Sequence, residues 1–96
     1  MTFDALWAEY ARRPRPPHLG ATIGGVRLGE VDDDIQDVVA SMGMGPELGV
    51  SRVARLGLAV ADAECVLPML PQGETRDYFI LLVAIGRAAL TSLVDA

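Results

Sequence analysis

The sequence predicts a mainly α-helical single domain of three or four helices, with a minor β-hairpin or a loop at about residues 21–28. Three observations support this fold class. Apolar residues recur at helical spacing in several stretches, and prolines and glycines separate those stretches. Residues 78–86, YFILLVAIG, are uncharged and largely apolar around the whole circumference of a helix. The chain has 96 residues, 51% of them apolar and 22% charged, which indicates one globular domain spanning residues 1–96.

Helix one is predicted over residues 2–13, where one face is apolar and mostly aromatic. Such a face packs on the chain's own core, swaps onto a second subunit or inserts into another protein's groove. Prolines at positions 14, 16 and 17 forbid helical continuation, so residues 14–20 form an extended arm before a core of residues 21–96. The candidate partner-binding residues are those of the aromatic face, at i, i+3, i+4 and i+7: Phe3, Leu6, Trp7 and Tyr10.

Helix two is predicted to begin in the acidic run, with Asp33 as N-cap and Gln36 completing a capping box. Before it, the segment TI-GG-VRL indicates two short strands around a Gly-Gly turn, with an irregular loop as the alternative. The apolar stripe of helix two consists of Ile35, Val38, Val39 and Met42. Gly43 and Gly45 then end the helix.

Helix three is predicted from about Pro46 to Leu67, and the LPMLP segment that follows is predicted to be a non-helical corner. Helix four follows over residues 74–94, where small residues allow close approach by a neighbour. The apolar seam of helix three has a 3,4,3,4 spacing: Val53, Leu56, Val60, Ala63 and Leu67.

The apolar circumference of helix four predicts a homodimer, because a chain of this size buries only about 60–65% of its unfolded surface. A membrane span is not favoured, since residues 78–94 are interrupted by Arg87 and fall short of the roughly 20 residues required. The residues predicted to form the dimer interface are Phe79, Leu82, Ile85 and Ala89.

Composition argues against several classes of function. The net charge is −5 and the chain contains no lysine, which argues against a nucleic-acid surface. Cys65 is the single cysteine, so an intrachain disulfide and a CxxC site are excluded. The N-terminus carries acids where a secretory signal carries basic residues, and we therefore expect a cytoplasmic protein.

The acidic run DDIQD at residues 33–37 fits a DDxxD pattern, whose carboxylates can hold Mg²⁺ against a diphosphate. Asp33 and Asp37, however, lie opposite the apolar stripe of helix two. We interpret them as part of a solvated helix start, so both are only weak candidates for metal ligands. No cofactor is expected. His18 has no second histidine or cysteine partner for a metal set and is expected to be an exposed residue of the arm.

The C-terminal stretch LAVADAECVLPMLPQGETRDYFILLVAIGRAAL, preceded by the acidic VDDDI, resembles short uncharacterised proteins of high-GC, actinobacterial type. These share a leucine-proline corner followed by a Tyr-Phe helix. The resemblance implies a helical architecture and brings no catalytic or binding residue with it.

These observations favour a small cytoplasmic, non-enzymatic protein-protein interaction module, such as an adaptor, a regulator or an immunity-like binder. The alternative is a small dimeric helical enzyme or accessory factor of specialised metabolism, with a pocket at the subunit interface. His18, the acidic run and Tyr78 are the first candidates for such a site. A transcription regulator is disfavoured by the acidic charge.

Overall fold

The computed structural model describes residues 3–16, 19–41 and 50–95 of the chain. Within these residues the structure has a mainly α-helical fold with a small hairpin, as predicted. Its elements are the helices α1 (Phe3–Arg12), α2 (Leu28–Ser41), α3 (Val50–Val66) and α4 (Glu74–Asp95), the strands β1 (Thr22–Ile23) and β2 (Val26–Arg27), and a 3₁₀ turn at Leu67–Met69.

The segment between α1 and α2 forms the hairpin rather than the irregular loop. Strands β1 and β2 pair antiparallel, with Ile23 opposite Val26. The two residues between the strands, Gly24 and Gly25, have φ angles of 58° and 80°. A two-residue turn with positive φ at both positions matches the twist of a hairpin, and glycine adopts that conformation without steric cost.

Helix α2 begins at Leu28, five residues before the predicted N-cap Asp33, so that prediction is wrong. Strand β2 continues directly into the helix, and the Leu28 N–H donates a 3.1 Å hydrogen bond to the Ala21 carbonyl. Leu28 and Val31 are both buried and extend the apolar stripe of Ile35 towards the N-terminus. Burial of this longer stripe stabilises the helical conformation of the acidic run. Tertiary packing therefore outweighs the local signal for a helix start at Asp33.

Helices α3 and α4 pack closely, and the predicted seam of α3 is confirmed in its centre. Leu56, Val60 and Ala63 are buried. Gly86 of α4 lies against Val60 so tightly that a methyl group at Gly86 would collide with Val60 Cγ2. Pro46, the predicted start of helix three, lies outside the described residues. The same is true of Met42, Gly43 and Gly45 at the predicted end of helix two. The predicted corner at LPMLP is a single 3₁₀ turn.

Helix α4 is covered mainly by its own chain, because α1, α2 and α3 all pack against it. Within residues 78–86, every residue is buried except Ile80, which is exposed, and Ala84, which is half-buried. The apolar circumference therefore does not by itself require a second copy. The three neighbouring helices bury most of the apolar surface of α4 from which a homodimer was predicted.

Candidate functional site

Asp32 is the only charged residue that is buried among the described parts of the chain, and its exposure is 0%. Its Oδ1 accepts hydrogen bonds from the hydroxyls of Tyr10 at 2.7 Å and Tyr78 at 2.8 Å. Its Oδ2 accepts two bonds from Arg15, at 2.7 Å from Nη2 and 3.2 Å from Nε. We call Tyr10, Arg15, Asp32 and Tyr78 the Asp32 cluster.

The Asp32 cluster joins segments that are distant in the sequence. Tyr10 lies near the end of α1, Arg15 in the proline-rich arm, Asp32 on α2 and Tyr78 on α4. The ring of Trp7 stacks on that of Tyr10 at a centroid distance of 5.4 Å. The cluster thus fastens α1 and the arm to the rest of the domain, and the aromatic face of α1 packs in cis.

Burial and the Asp32 carboxylate change the acid-base properties of both tyrosines. Burial, with a further contribution from the Asp32 carboxylate, raises the pKa of Tyr78 to about 12. Burial also raises the pKa of Tyr10 far above its usual value, and the hydrogen bonds to Tyr78 and Asp32 add to that effect. Ionising either hydroxyl would place a second anion beside Asp32, away from water. Both tyrosines therefore remain protonated donors through the neutral range.

The geometry of the Asp32 cluster indicates an anchor rather than a reaction centre. Each oxygen of Asp32 accepts two hydrogen bonds from the chain itself, and a carboxylate offers about four acceptor sites in all. The hydrogen bond from Arg15 to Asp32 raises the pKa of the guanidinium further above its ordinary value. A substrate would have to displace one of these partners to reach Asp32.

The predicted metal candidates, Asp33 and Asp37, are both paired with arginines. Asp33 Oδ1 accepts a 2.9 Å bond from Arg15, and Asp37 Oδ2 accepts a 3.2 Å bond from Arg55, which also binds Asp34. Within the described residues, no group of three histidine, cysteine or acidic side chains is placed to hold a metal ion. His18, a suspect of the enzyme hypothesis, lies outside the described residues.

An open groove of about 490 Å³ runs between α1 and α4. Its floor is apolar, and three charged residues stand at its edges. Ile80 in this groove is 49% exposed, and unlike the more exposed Leu58 and Met69 it lies beside other apolar side chains of a groove. We call this feature the α1–α4 groove; its lining residues are Leu6, Glu9, Arg13, Asp77, Ile80, Leu81 and Ala84. A smaller cavity of about 160 Å³, bounded by Arg13, Asp77 and Tyr78 among others, adjoins it.

The four residues predicted as a dimer interface do not lie on a surface. Each of them is 0% exposed and packs in the chain's own core: Phe79, Leu82, Ile85 and Ala89. The sequence pattern located helix four correctly but assigned the interface to its buried side, because both sides are apolar within residues 78–86. A signal for the outer side lies just beyond that run, since the charged residues Asp77 and Arg87, at i−3 and i+7 from Ile80, share its side of the helix.

The predicted partner-binding residues of α1 are divided by the fold. Tyr10 is buried in the Asp32 cluster, while Phe3 and Trp7 are partly buried against the core. Leu6 is partly buried as well and lines the α1–α4 groove. Of the aromatic face, Leu6 is therefore the residue that contributes to this open surface.

Comparison with known proteins gave no match to a protein-family model, a curated protein or a solved structure. In the part of the chain that the structure describes, no helix is long and apolar enough to cross a bilayer. The Asp32 cluster and the α1–α4 groove are therefore the features from which a function can be inferred.

Proposed function

We propose that this protein is a small cytoplasmic, non-enzymatic interaction module and that the α1–α4 groove is its contact surface. The observation that carries the proposal is the exposure of Ile80 on an apolar floor that also includes Leu6 and Leu81. An apolar groove between two helices, with charges at its edges, suits an amphipathic helix from a protein partner. A second copy of the chain is one such partner.

The anchoring of α1 supports binding at the groove. One wall is α1, which the Asp32 cluster fastens to α2 and α4 through Tyr10 and Arg15. A preformed groove loses less conformational entropy when a partner binds than one that must first assemble. The Asp32 cluster therefore contributes to binding, because it holds α1, one wall of the contact surface, in place.

The enzyme alternative is less well supported by the same cluster. Its most unusual group, the Asp32 carboxylate, is fully buried, and its hydrogen bonds all come from residues of the chain. A general acid or base must come within hydrogen-bond reach of its substrate. The protein donors around Asp32 already occupy that space.

Site-specific photocrosslinking tests the proposal. A photoreactive phenylalanine analogue replaces Ile80 in the groove or, as a matched control, Leu58, which is 70% exposed on α3. After illumination in an extract of the source cells, we expect a crosslinked product from position 80 and none from position 58. A product of twice the 10.2 kDa chain mass identifies a second copy, and another mass identifies a different protein. No product from position 80, or the same products from both positions, would overturn the proposal.

A further inference from the structure

We propose that the occupant of the α1–α4 groove is a second copy of this chain, with the two α4 helices packed antiparallel across a two-fold axis. This inference rests on the proposed function, because it names the partner of the same groove. Three features of α4 support it: the arrangement of its outer face, the sizes of two residues on that face and the positions of two opposite charges.

The outer face of α4 has a regular seam. Asp77, Ile80, Ala84 and Arg87 follow one another at spacings of three, four and three residues. At about 100° per residue these four positions fall within roughly 80° around the helix axis, opposite the buried side that contains Leu82. Asp77, Ile80 and Arg87 are exposed and Ala84 is half-buried, so the seam is open to a partner.

The sizes of Ile80 and Ala84 are complementary when the helix meets a copy of itself. Ile80 is a large side chain that is 49% exposed, whereas Ala84, one turn further along, is small and leaves space for a larger side chain. In an antiparallel pair centred midway between them, each Ile80 lies opposite the Ala84 of the other copy. A two-fold axis then makes both contacts at once, as self-complementary interfaces require.

The charges select the antiparallel direction. Asp77 and Arg87 lie five residues on either side of the position midway between Ile80 and Ala84. They are separated by about 15 Å along the helix. An antiparallel pair places Asp77 of each copy opposite Arg87 of the other, whereas a parallel pair in register would place like charges together.

Both charged groups are able to make this contact. The Asp77 carboxylate has no hydrogen-bond or ion-pair partner among the described residues. Arg87 binds Glu64 of α3 at 2.8 Å, but its side chain remains 64% exposed. A guanidinium has five N–H donors, so Arg87 can keep Glu64 and also receive a second carboxylate.

Charge exchange tests this arrangement. Sedimentation equilibrium of the purified full chain is measured for the wild type, for Asp77→Arg, for Arg87→Asp and for the double variant. We expect each single change to weaken self-association by about tenfold or more, because two like-charge contacts replace two ion pairs. The double variant, and an equimolar mixture of the two single variants, should recover association, since both restore opposite charges across the axis.

Two further variants serve as controls. Asp62→Arg makes the same charge change at an exposed position of α3 and should leave self-association unchanged. Ile80→Gln keeps both charges and should weaken association as the single charge variants do, which covers the case in which Arg87→Asp fails to fold. Far-ultraviolet circular dichroism identifies any variant that has unfolded.

A wild-type chain that stays monomeric at high micromolar concentration would overturn this inference, as would a mixture that associates no better than its components. The crosslinking experiment separates this failure from failure of the proposed function. A product at position 80 with a different protein, together with a monomeric wild type, refutes the second copy and leaves the interaction module standing. If position 80 gives no product at all, both the proposed function and the second copy as partner are refuted.

Discussion

Tyr10 donates a 2.7 Å hydrogen bond to Asp32 across 22 residues of sequence, and both groups are buried. This contact links α1 and α2, the two helices on either side of the hairpin. The same carboxylate oxygen accepts a bond from Tyr78 of α4, so one buried group orients three helices. The stability of the α1 docking, and hence of the α1–α4 groove, depends on this group.

Removing the charge of Asp32 should destabilise the protein. We expect Asp32→Asn to lower the free energy of unfolding by about 2–4 kcal/mol, because Arg15 loses its buried counterion and the tyrosine hydroxyls lose an ionised acceptor. Asp33→Asn is the matched control, since its side chain is 69% exposed, and should cost less than about 0.5 kcal/mol. Urea unfolding monitored by circular dichroism measures both. Equal effects would contradict the anchoring role of Asp32.

The two tyrosines of the chain both belong to the Asp32 cluster, so ultraviolet absorbance of tyrosinate monitors the cluster directly. An ordinary tyrosine ionises near pH 10, but burial raises the pKa of Tyr78 to about 12 and that of Tyr10 further. We expect little tyrosinate at pH 10 in the folded protein and the normal ionisation in urea. Tyrosinate appearing near pH 10 while the helical signal persists would show that the hydroxyls are exposed.

Stability should fall at alkaline pH for the same reason. Above about pH 10 the unfolded chain releases tyrosine protons that the folded chain retains, so the unfolded state gains relative stability. The stabilising effect is fully present below the unfolded pKa and is lost as pH rises towards the folded pKa. We expect a loss of up to about 1.4 kcal/mol per pH unit for each tyrosine between pH 10 and 12. Tyr78→Phe should reduce this slope in urea titrations, and an unchanged slope would contradict the assignment.

Trp7 contributes to the docking of α1 through its stacking on Tyr10. Because Trp7 is only partly buried, we expect Trp7→Ala to cost about 1–2 kcal/mol, less than a fully buried tryptophan would. Leu58→Ala on the exposed side of α3 should stay within about 0.5 kcal/mol. The fluorescence of Trp7 should be blue-shifted in the purified protein. Emission at the wavelength of free indole would contradict the packing of α1 in cis.

Two glycines in helices should respond in opposite directions to the same substitution. At Gly86 an added methyl group meets Val60 Cγ2, so Gly86→Ala should destabilise by about 1–3 kcal/mol. At Gly57 of α3 the space is open, so Gly57→Ala should stabilise by about 0.5–1 kcal/mol through its better helix propensity. Thermal unfolding measures both. If Gly86→Ala also stabilises, α3 and α4 are further apart than described.

Combining Gly86→Ala with Val60→Ala separates crowding from other causes. If the collision with Val60 is the source of the destabilisation, the double variant should lose less stability than the sum of the two single changes. Strict additivity would place the cause elsewhere in the helix.

Elements whose signals are local could be predicted from the residues themselves. The Gly-Gly pair indicated the turn at Gly24 and Gly25, with an irregular loop as the alternative. The 3,4 spacing predicted the buried centre of the α3 seam, and the apolar run predicted α4 within a residue of its observed bounds. These predictions hold because turn conformation and helical periodicity depend on residues a few positions apart.

Which groups are buried together depends on contacts between segments that are far apart in the sequence. Asp32 is adjacent to Asp33 and Asp34 in an acidic run, but it alone of the three lies at helical spacing from Leu28 and Ile35, on the apolar stripe of α2. That signal was missed because the helix was predicted to begin after Asp32. Its burial comes from Tyr10 and Tyr78, which lie 22 and 46 residues away. The start of α2 at Leu28 and the covering of α4 by the other helices were likewise decided by packing between distant segments. Local patterns do not identify the distant partners of a buried group, because those partners depend on which faces the folded chain brings together.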